Sequence, residues 1–153
     1  MRLNAMSERC IFCRITRGDA PAHMVYRDGR ALAFLDIHPS APGHTIIIPR
    51  AHAARVEDLS QEDAAALFRA LHLLVGRIQA AVDAPASTIG INNGHESGQE
   101  IPHVHIHVIP RALGDRGGII QGIARPPRRL NEEEMMEIAD KIRQSASNIA
   151  LDR

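Results

Sequence analysis

The seven residues His103-Val104-His105-Ile106-His107-Val108-Ile109 alternate histidine with β-branched aliphatic residues. Successive side chains of an extended strand point to opposite faces, so this period of two puts three imidazoles on one side and Val104, Ile106 and Val108 on the other. The aliphatic side can take a packed helix. The histidine side gathers groups able to move protons or bind metal. At a rise of ~3.3 Å per residue, His103 and His107 stand about 13 Å apart, too far for one metal ion to collect all three rings, although adjacent pairs could share one. Histidine is not a favoured strand residue, so alternation this regular calls for a cause other than strand formation.

The rest of the chain supplies the partners of such a strand. Residues 10–18 read as a short helix ended by Gly18, and residues 24–36 as two strands around Asp28-Gly29, a hairpin signal. Residues 44–49 are a β-branched run too short for a globular helix and are expected to form a third, central strand. From Ser60 the period changes. Ser60 and Asp63 stand as a helix start, with Leu67, Leu71, Leu74, Ile78 and Val82 at helical spacing, and Pro85 breaks the pattern. Residues 87–92 and 103–110 supply two more strands joined by a polar, glycine-containing loop, and Asn131 with Glu134 opens a last amphipathic helix carrying Met135, Ile138 and Ile142. The order β-β-β-α-β-β-α with short links favours an antiparallel α+β sheet.

A length of 153 residues suits one domain and contains no internal repeat. Residues 1–9 are expected as a loose tail, with Met6 an alternative start; residues 10–112 hold the domain, and residues 113–153 form a C-terminal extension, rich in Gly, Pro and Arg at first and solvated there. With 18 basic and 18 acidic residues, the chain lacks the basic surplus of a protein held on nucleic acid by its phosphates. The apolar stretch 64–82 is interrupted by Arg69, His72 and Arg77, and no apolar leader opens the chain, so neither membrane spanning nor secretion is expected. Cytoplasmic location follows, and two cysteines separated by two residues suit reducing conditions. The glycines form no P-loop, so kinase-like phosphate chemistry has no support. Taken alone, Cys10-x-x-Cys13 fits half of a zinc site, a redox pair or two inert thiols.

The alternating segment resembles the signature of the histidine triad (HIT) superfamily, His-φ-His-φ-His-φ-φ with φ apolar. The likeness extends to residues 36–52, with Asp36, His44 and His52, and to Gly98-Gln99 ahead of the triad, and covers about residues 10–112. The chain is similar to the zinc-containing hydrolases beside the Hint and Fhit branches. The resemblance implies a five-stranded antiparallel sheet with a main central helix, a short N-terminal helix and a homodimer. It implies that His105 attacks the α-phosphorus of a purine nucleotide derivative, forming a nucleotidyl-histidine that water hydrolyses. His107 would bind or protonate the phosphate side and His44 would support the site. Asp36 would hold the ribose hydroxyls, though without the likeness it reads equally as a turn residue before His38-Pro39. Asn92 and Gln99 would donate to phosphate oxygens, and Phe12, Ile15, Phe34 and Ile37 would clasp the base. By the same likeness Cys10, Cys13, His52 and His103 would hold a structural Zn²⁺, a closed set with no open position. Some relatives carry Ser or Thr after Gly-Gln where this chain has Glu100, which would act as an acid or select against polyanionic leaving groups. A phosphoramidate or adenylate is the first expectation for the substrate and a dinucleoside polyphosphate the second. A non-catalytic nucleotide-binding protein is the alternative of another class, and a catalytic metal at the triad a third reading.

Overall fold

Strands β1 (Met24–Arg27) and β2 (Ala31–Leu35) form the expected hairpin, with its tip displaced by one residue. The Asp28 N–H donates to the Ala31 carbonyl at 3.0 Å, leaving Gly29 and Arg30 between them. The Asp28 carboxylate turns the chain: its Oδ1 accepts from the backbone N–H groups of Arg30 and Ala31, each at 2.7 Å. In this computed structural model residues 5–123 and 129–145 are described.

Strand β3 (Thr45–Pro49) is buried along its whole length between β2 and β5 (Ile106–Arg111), and β4 (Ala86–Gly90) lies on the far side of β5. The sheet order is β1-β2-β3-β5-β4 with every neighbouring pair antiparallel. The aliphatic run of β3 is unbroken because both faces of this strand are covered. One covering is α3 (Gln61–Ala81), which occupies the crossover between β3 and β4. Ser60 caps it, its Oγ accepting from the Asp63 N–H at 3.1 Å. Leu67, Leu71, Leu74 and Ile78 pack with Ala31, Ile47, Val104, Ile106 and Val108 into the larger core. Each such side chain contributes ~1.5–3 kcal/mol by burial. Val82, expected on the same stripe, sits just past the helix as its C-cap, and Asp83 turns there with φ 53° ahead of Pro85.

The other face is covered by α2 (Ile11–Arg17), which lays Phe12, Cys13 and Ile15 on Leu32, Phe34, Ile46 and Ile48. Gly18 ends this helix at φ 86°, as read from the sequence. Two expectations need correction. The loose tail is helical over Ala5–Arg9 (α1), while residues 1–4 lie outside the described residues. The last strand starts at Ile106, so His103 and His105 precede the ladder. The reason lies in the backbone: the N–H of His103 bonds to the Ile101 carbonyl and that of Val104 to the Ala53 carbonyl, each at 2.8 Å, rather than to a neighbouring strand. The faces still alternate, with Val104, Ile106 and Val108 under α3 and the histidines toward α2.

The chain divides into two compact units, Met1–Gly117 and Gly118–Arg153. The first extends a few residues beyond the boundary expected at residue 112 because Arg111 grips the following loop. Its guanidinium meets the Asp115 carboxylate at 2.6 and 2.9 Å and Thr88 Oγ1 at 2.8 Å, and Asp115 also accepts from the Gly117 N–H at 2.8 Å. This part of the Arg-rich segment is ordered rather than a loose connection; residues 124–128 lie outside the described residues. The second unit holds α4 (Glu132–Ser145), opened by a reciprocal cap in which the Asn131 and Glu134 side chains each accept from the other's backbone N–H at 2.9 Å. Among the described residues no helix is long and apolar enough to cross a membrane.

Gly43 shows how tightly the turn before β3 is held. Its φ is 80°, and a Cβ there would stand 3.0 Å from Val82 Cγ1 and 3.3 Å from the Pro110 ring. Gly43→Ala is expected to destabilise the protein by about 2 kcal/mol, from left-handed backbone strain with added crowding, visible as a lower urea midpoint at unchanged slope.

Candidate functional site

Three histidines on the α2 side of the sheet have tautomers assigned by their partners. Nδ1 of His105 lies 2.7 Å from the His103 carbonyl, which only accepts, so Nδ1 carries the proton and Nε2 keeps its lone pair. At His44 the roles reverse. The Ser40 N–H donates to His44 Nδ1 at 3.1 Å, so the His44 proton resides on Nε2 and is donated to His107 Nδ1 at 2.9 Å. His107 must then hold its own proton on Nε2. Burial lowers the basicity of His44, only partly offset by Asp36, whose Oδ2 lies 3.6 Å from His44 Nδ1. Burial, followed by the neighbouring His105 and His44, pushes His107 down to about 4. The rings of His105 and His107 stand edge to face at 4.9 Å. The site therefore presents a nucleophilic nitrogen beside a neutral N–H donor.

Strand register explains why these groups face a cavity. Phe34 pairs with Ile46, Ile46 with His107, and His107 with Gly90, so one row crosses β2, β3, β5 and β4 on a single face. On the β2 and β3 flank Phe34 and Ile46 fill the row with apolar bulk. On the β4 flank a Cβ at Gly90 would have nothing within 4 Å, so the space beside His107 is open. The resulting pocket, about 610 Å³, is bounded by α2 and residues 20–22, by residues 34–40, by the three histidines, and by the β4–β5 connection at Asn92, Gly98, Glu100 and Ile101. That volume lies within the range of small-molecule sites.

Phe12, Ile15, Phe34 and Ile37 all line this pocket, as expected, with Phe12 edge-on to Phe34 at 5.6 Å. Ile37 is 75% exposed and forms the rim. Asp36 Oδ1 accepts from the His38 N–H at 2.8 Å, as a turn residue does, and the residue also lines the pocket. Asn92 lines the pocket and makes no side-chain hydrogen bond among the described residues. The role expected for Gln99 is different. Its Nε2 donates to the carbonyls of Ala54 at 2.7 Å and Ile101 at 3.0 Å, and its Oε1 accepts from the Gly94 N–H at 2.8 Å. Both amide hydrogens are used, and at 8% exposure the side chain braces the loop rather than lining the pocket. Sequence reasoning missed the Ser40 N–H and the opening at Gly90. It could not have found the first, because every residue but proline carries that donor.

The second cluster lies at the N-terminus of α2. Single ligand atoms from Cys10, Cys13, His52 and His103 all fall within 4.8 Å of one another. His103 Nδ1 is 3.5 and 3.6 Å from the two sulfurs, and His52 Nδ1 is 3.3 Å from Cys13 Sγ. Tetrahedral bonds of ~2.0–2.3 Å give edges of about 3.3–3.8 Å, the range in which these three separations fall. The tautomer fits as well: His103 Nε2 donates to the Pro49 carbonyl at 2.9 Å, turning the Nδ1 lone pair toward the sulfurs. Burial and the adjacent Cys10 push the Cys13 thiol up to about 11, so thiolate here calls for a cation. His103, fully buried, lies in this cluster and does not line the pocket.

The model of the HIT domain matches residues 17–113. A Schizosaccharomyces pombe protein described as adenosine 5'-monophosphoramidase hnt1 is 34% identical over 87% of this chain and 95% of its own length. The crystal structure of a member of the HIT family of proteins from Bacillus subtilis superposes with a TM-score of 0.80 at 32% identity, covering 94% of this chain and 99% of that one. A Zn-bound histidine triad family protein from Mycobacterium smegmatis superposes with a TM-score of 0.68 at 31% identity, covering 92% and 98%.

Proposed function

The chain belongs to the HIT domain family, and from that premise we propose that it is a nucleotide hydrolase that opens the α-phosphorus bond of a purine nucleoside phosphoramidate or adenylate through a nucleotidyl-His105 intermediate. The observation that carries this is the tautomer of His105, whose Nδ1–H is held by the His103 carbonyl and whose Nε2 keeps its lone pair in a ring that lines the pocket. That lone pair attacks the phosphorus, forming the P–Nε2 bond as the bond to the leaving group breaks. The leaving nitrogen or oxygen takes a proton from the Nε2–H of His107, and His44 stabilises the altered His107 ring through the bond at 2.9 Å. Water then attacks the same phosphorus and gives a proton back to Nε2 of His107, the P–Nε2 bond breaks, and the nucleoside monophosphate leaves with His105 and His107 both neutral again. The Nδ1 bond to a fixed carbonyl stabilises the positive charge on the nucleotidylated ring.

Asp36 accepts from the ribose hydroxyls, Asn92 donates to a phosphoryl oxygen, and the base rests between the α2 side chains and Phe34. Zinc is the ion we assign to Cys10, Cys13, His52 and His103, supported by the tetrahedral spacing and by the zinc in the mycobacterial neighbour. It would supply cross-linking only, tying α2 to the residues before β5, and enters no step. Strand β4 pairs on one side only among the described strands, which is in keeping with the homodimer implied by the family. The unbridged cysteines suit a reducing cytoplasm.

The S. pombe relative's description as a phosphoramidase supports the order of substrates. With a fluorogenic adenosine phosphoramidate and diadenosine tetraphosphate compared at equal concentration, kcat/KM is expected to favour the first by about tenfold or more. The opposite order would transfer the reading to dinucleoside polyphosphates, and no turnover of either would leave a binding protein.

A further inference from the structure

Resting on the hydrolase reading above, we propose that Glu100 determines which leaving group this pocket accepts, favouring an amine that carries a second, protonated amino group, such as a diamine or a basic amino acid, over an anionic or polyphosphate one. The charge of the lining comes first. The pocket carries two carboxylates, Asp36 and Glu100, and, among the described residues, no lysine or arginine. Of its histidines, His44 and His107 are held toward the neutral form by burial. Arg55, whose guanidinium lies against Gly94 in the β4–β5 connection, is ion-paired with Glu57 at 3.7 Å and stands outside the lining. A pocket for phosphorus chemistry that carries negative charge at its wall disfavours each further phosphate and attracts an ammonium.

Placement separates the two carboxylates. Asp36 follows β2 and sits beside His44, on the flank where Phe34 and Ile46 fill the row, and one of its oxygens already accepts from His38. Glu100 belongs to the β4–β5 connection, on the side where Gly90 leaves the space beside His107 open. With the nucleoside on the apolar flank and phosphorus at His105, the departing group occupies that open side. The Glu100 carboxylate is exposed and has no hydrogen bond or ion pair among the described residues. Its backbone is nevertheless held. Buried Gln99 next to it ties this segment to Ala54, Ile101 and Gly94, and the Ile101 carbonyl accepts from the His103 N–H. The carboxylate thus projects from a fixed segment, as discrimination requires.

In the step itself the His105 Nε2–phosphorus bond forms, the phosphorus–nitrogen bond to the leaving amine breaks, and that nitrogen takes the His107 proton. The second ammonium stays protonated throughout and meets Glu100. The test uses three adenosine 5'-phosphoramidates whose leaving amines have the same length and end in an ammonium, a hydroxyl or a carboxylate. In the wild-type protein, kcat/KM is expected to fall about tenfold from ammonium to hydroxyl and again to carboxylate at low ionic strength, with the spread shrinking as salt is added. Within Glu100→Gln the three ratios are expected to collapse toward one, and within Glu100→Lys to invert. Because each variant is judged by ratios among its own substrates, a general loss of activity does not mimic the result. Equal turnover of all three by the wild type, or an unchanged ratio in Glu100→Gln, would overturn the role of Glu100 while sparing the hydrolase. No turnover of any of them would overturn both.

Discussion

Replacing His105 with alanine is expected to lower kcat toward adenosine phosphoramidate by about four orders of magnitude or more, because neither of the histidines beside it can present an unprotonated nitrogen in its place. His107 has its lone pair on Nδ1, directed at His44 2.9 Å away, and His44 uses its own on the Ser40 N–H. Neither can turn to attack without breaking the relay. Adenosine monophosphate binding should stay within a few-fold, since Asp36, Asn92 and the apolar wall are untouched. Stability should fall by only about 1–3 kcal/mol, the cost of leaving the His103 carbonyl without its donor and opening a gap beside Phe12. Quenching the wild-type reaction in acid-free denaturant should show by intact mass a protein carrying one nucleotidyl group, and the variant should show none. Turnover in His105→Ala close to wild type would remove covalent catalysis from this residue.

Much of this site was legible because the alternation at residues 103–109 carries two kinds of information. It tells which side chains share a face, and that survived even where the strand itself did not: Val104 packs under α3 although its backbone bonds to Ala53 rather than to a neighbouring strand. Where the ladder would begin was not legible, since a period of two reports side-chain direction and not the partner of each N–H. The same limit explains the hairpin, where Asp28-Gly29 marks a turn but the Asp28 side chain moves its tip by one residue. Gln99 shows the limit of motif likeness. It reads as a phosphate donor, but the direction of its amide is set by the backbone groups of nearby Gly94 and Ile101 and of Ala54, 45 residues away in sequence. The tautomers of His44, His103 and His105 rest on the Ser40 N–H and the carbonyls of Pro49 and His103, which no residue type encodes, and that of His107 follows from His44. Reach alone showed only that the three histidines cannot all serve one ion; that His103 is the one set apart came from the likeness to the family.

Cys10→Ser is expected to strip the protein of zinc and to lower its melting temperature by about 10 °C or more, while His105→Ala keeps stoichiometric metal. Removing one thiolate opens a closed tetrahedral set, and three ligands including a single sulfur hold zinc far more weakly. The consequence reaches beyond the metal. Helix α2 has only seven residues, too short to persist alone, and is held to the sheet by Phe12, Cys13 and Ile15. Its cysteines meet His103, which bonds to the Pro49 carbonyl at the end of β3, so one ion would join the N-terminal helix, the central strand and the histidine segment. A loss of about 3–5 kcal/mol on breaking that junction corresponds to a shift of this size for a chain of this length. Because Phe12 contacts both His103 at 5.8 Å and His105 at 5.3 Å, loosening α2 should also raise KM for the nucleotide more than it lowers kcat. Elemental analysis of the purified protein, with calorimetry of wild type, Cys10→Ser and His105→Ala, reads out both effects. Wild-type protein that carries no metal and whose folded thiols oxidise to a disulfide would replace the zinc junction with a redox pair.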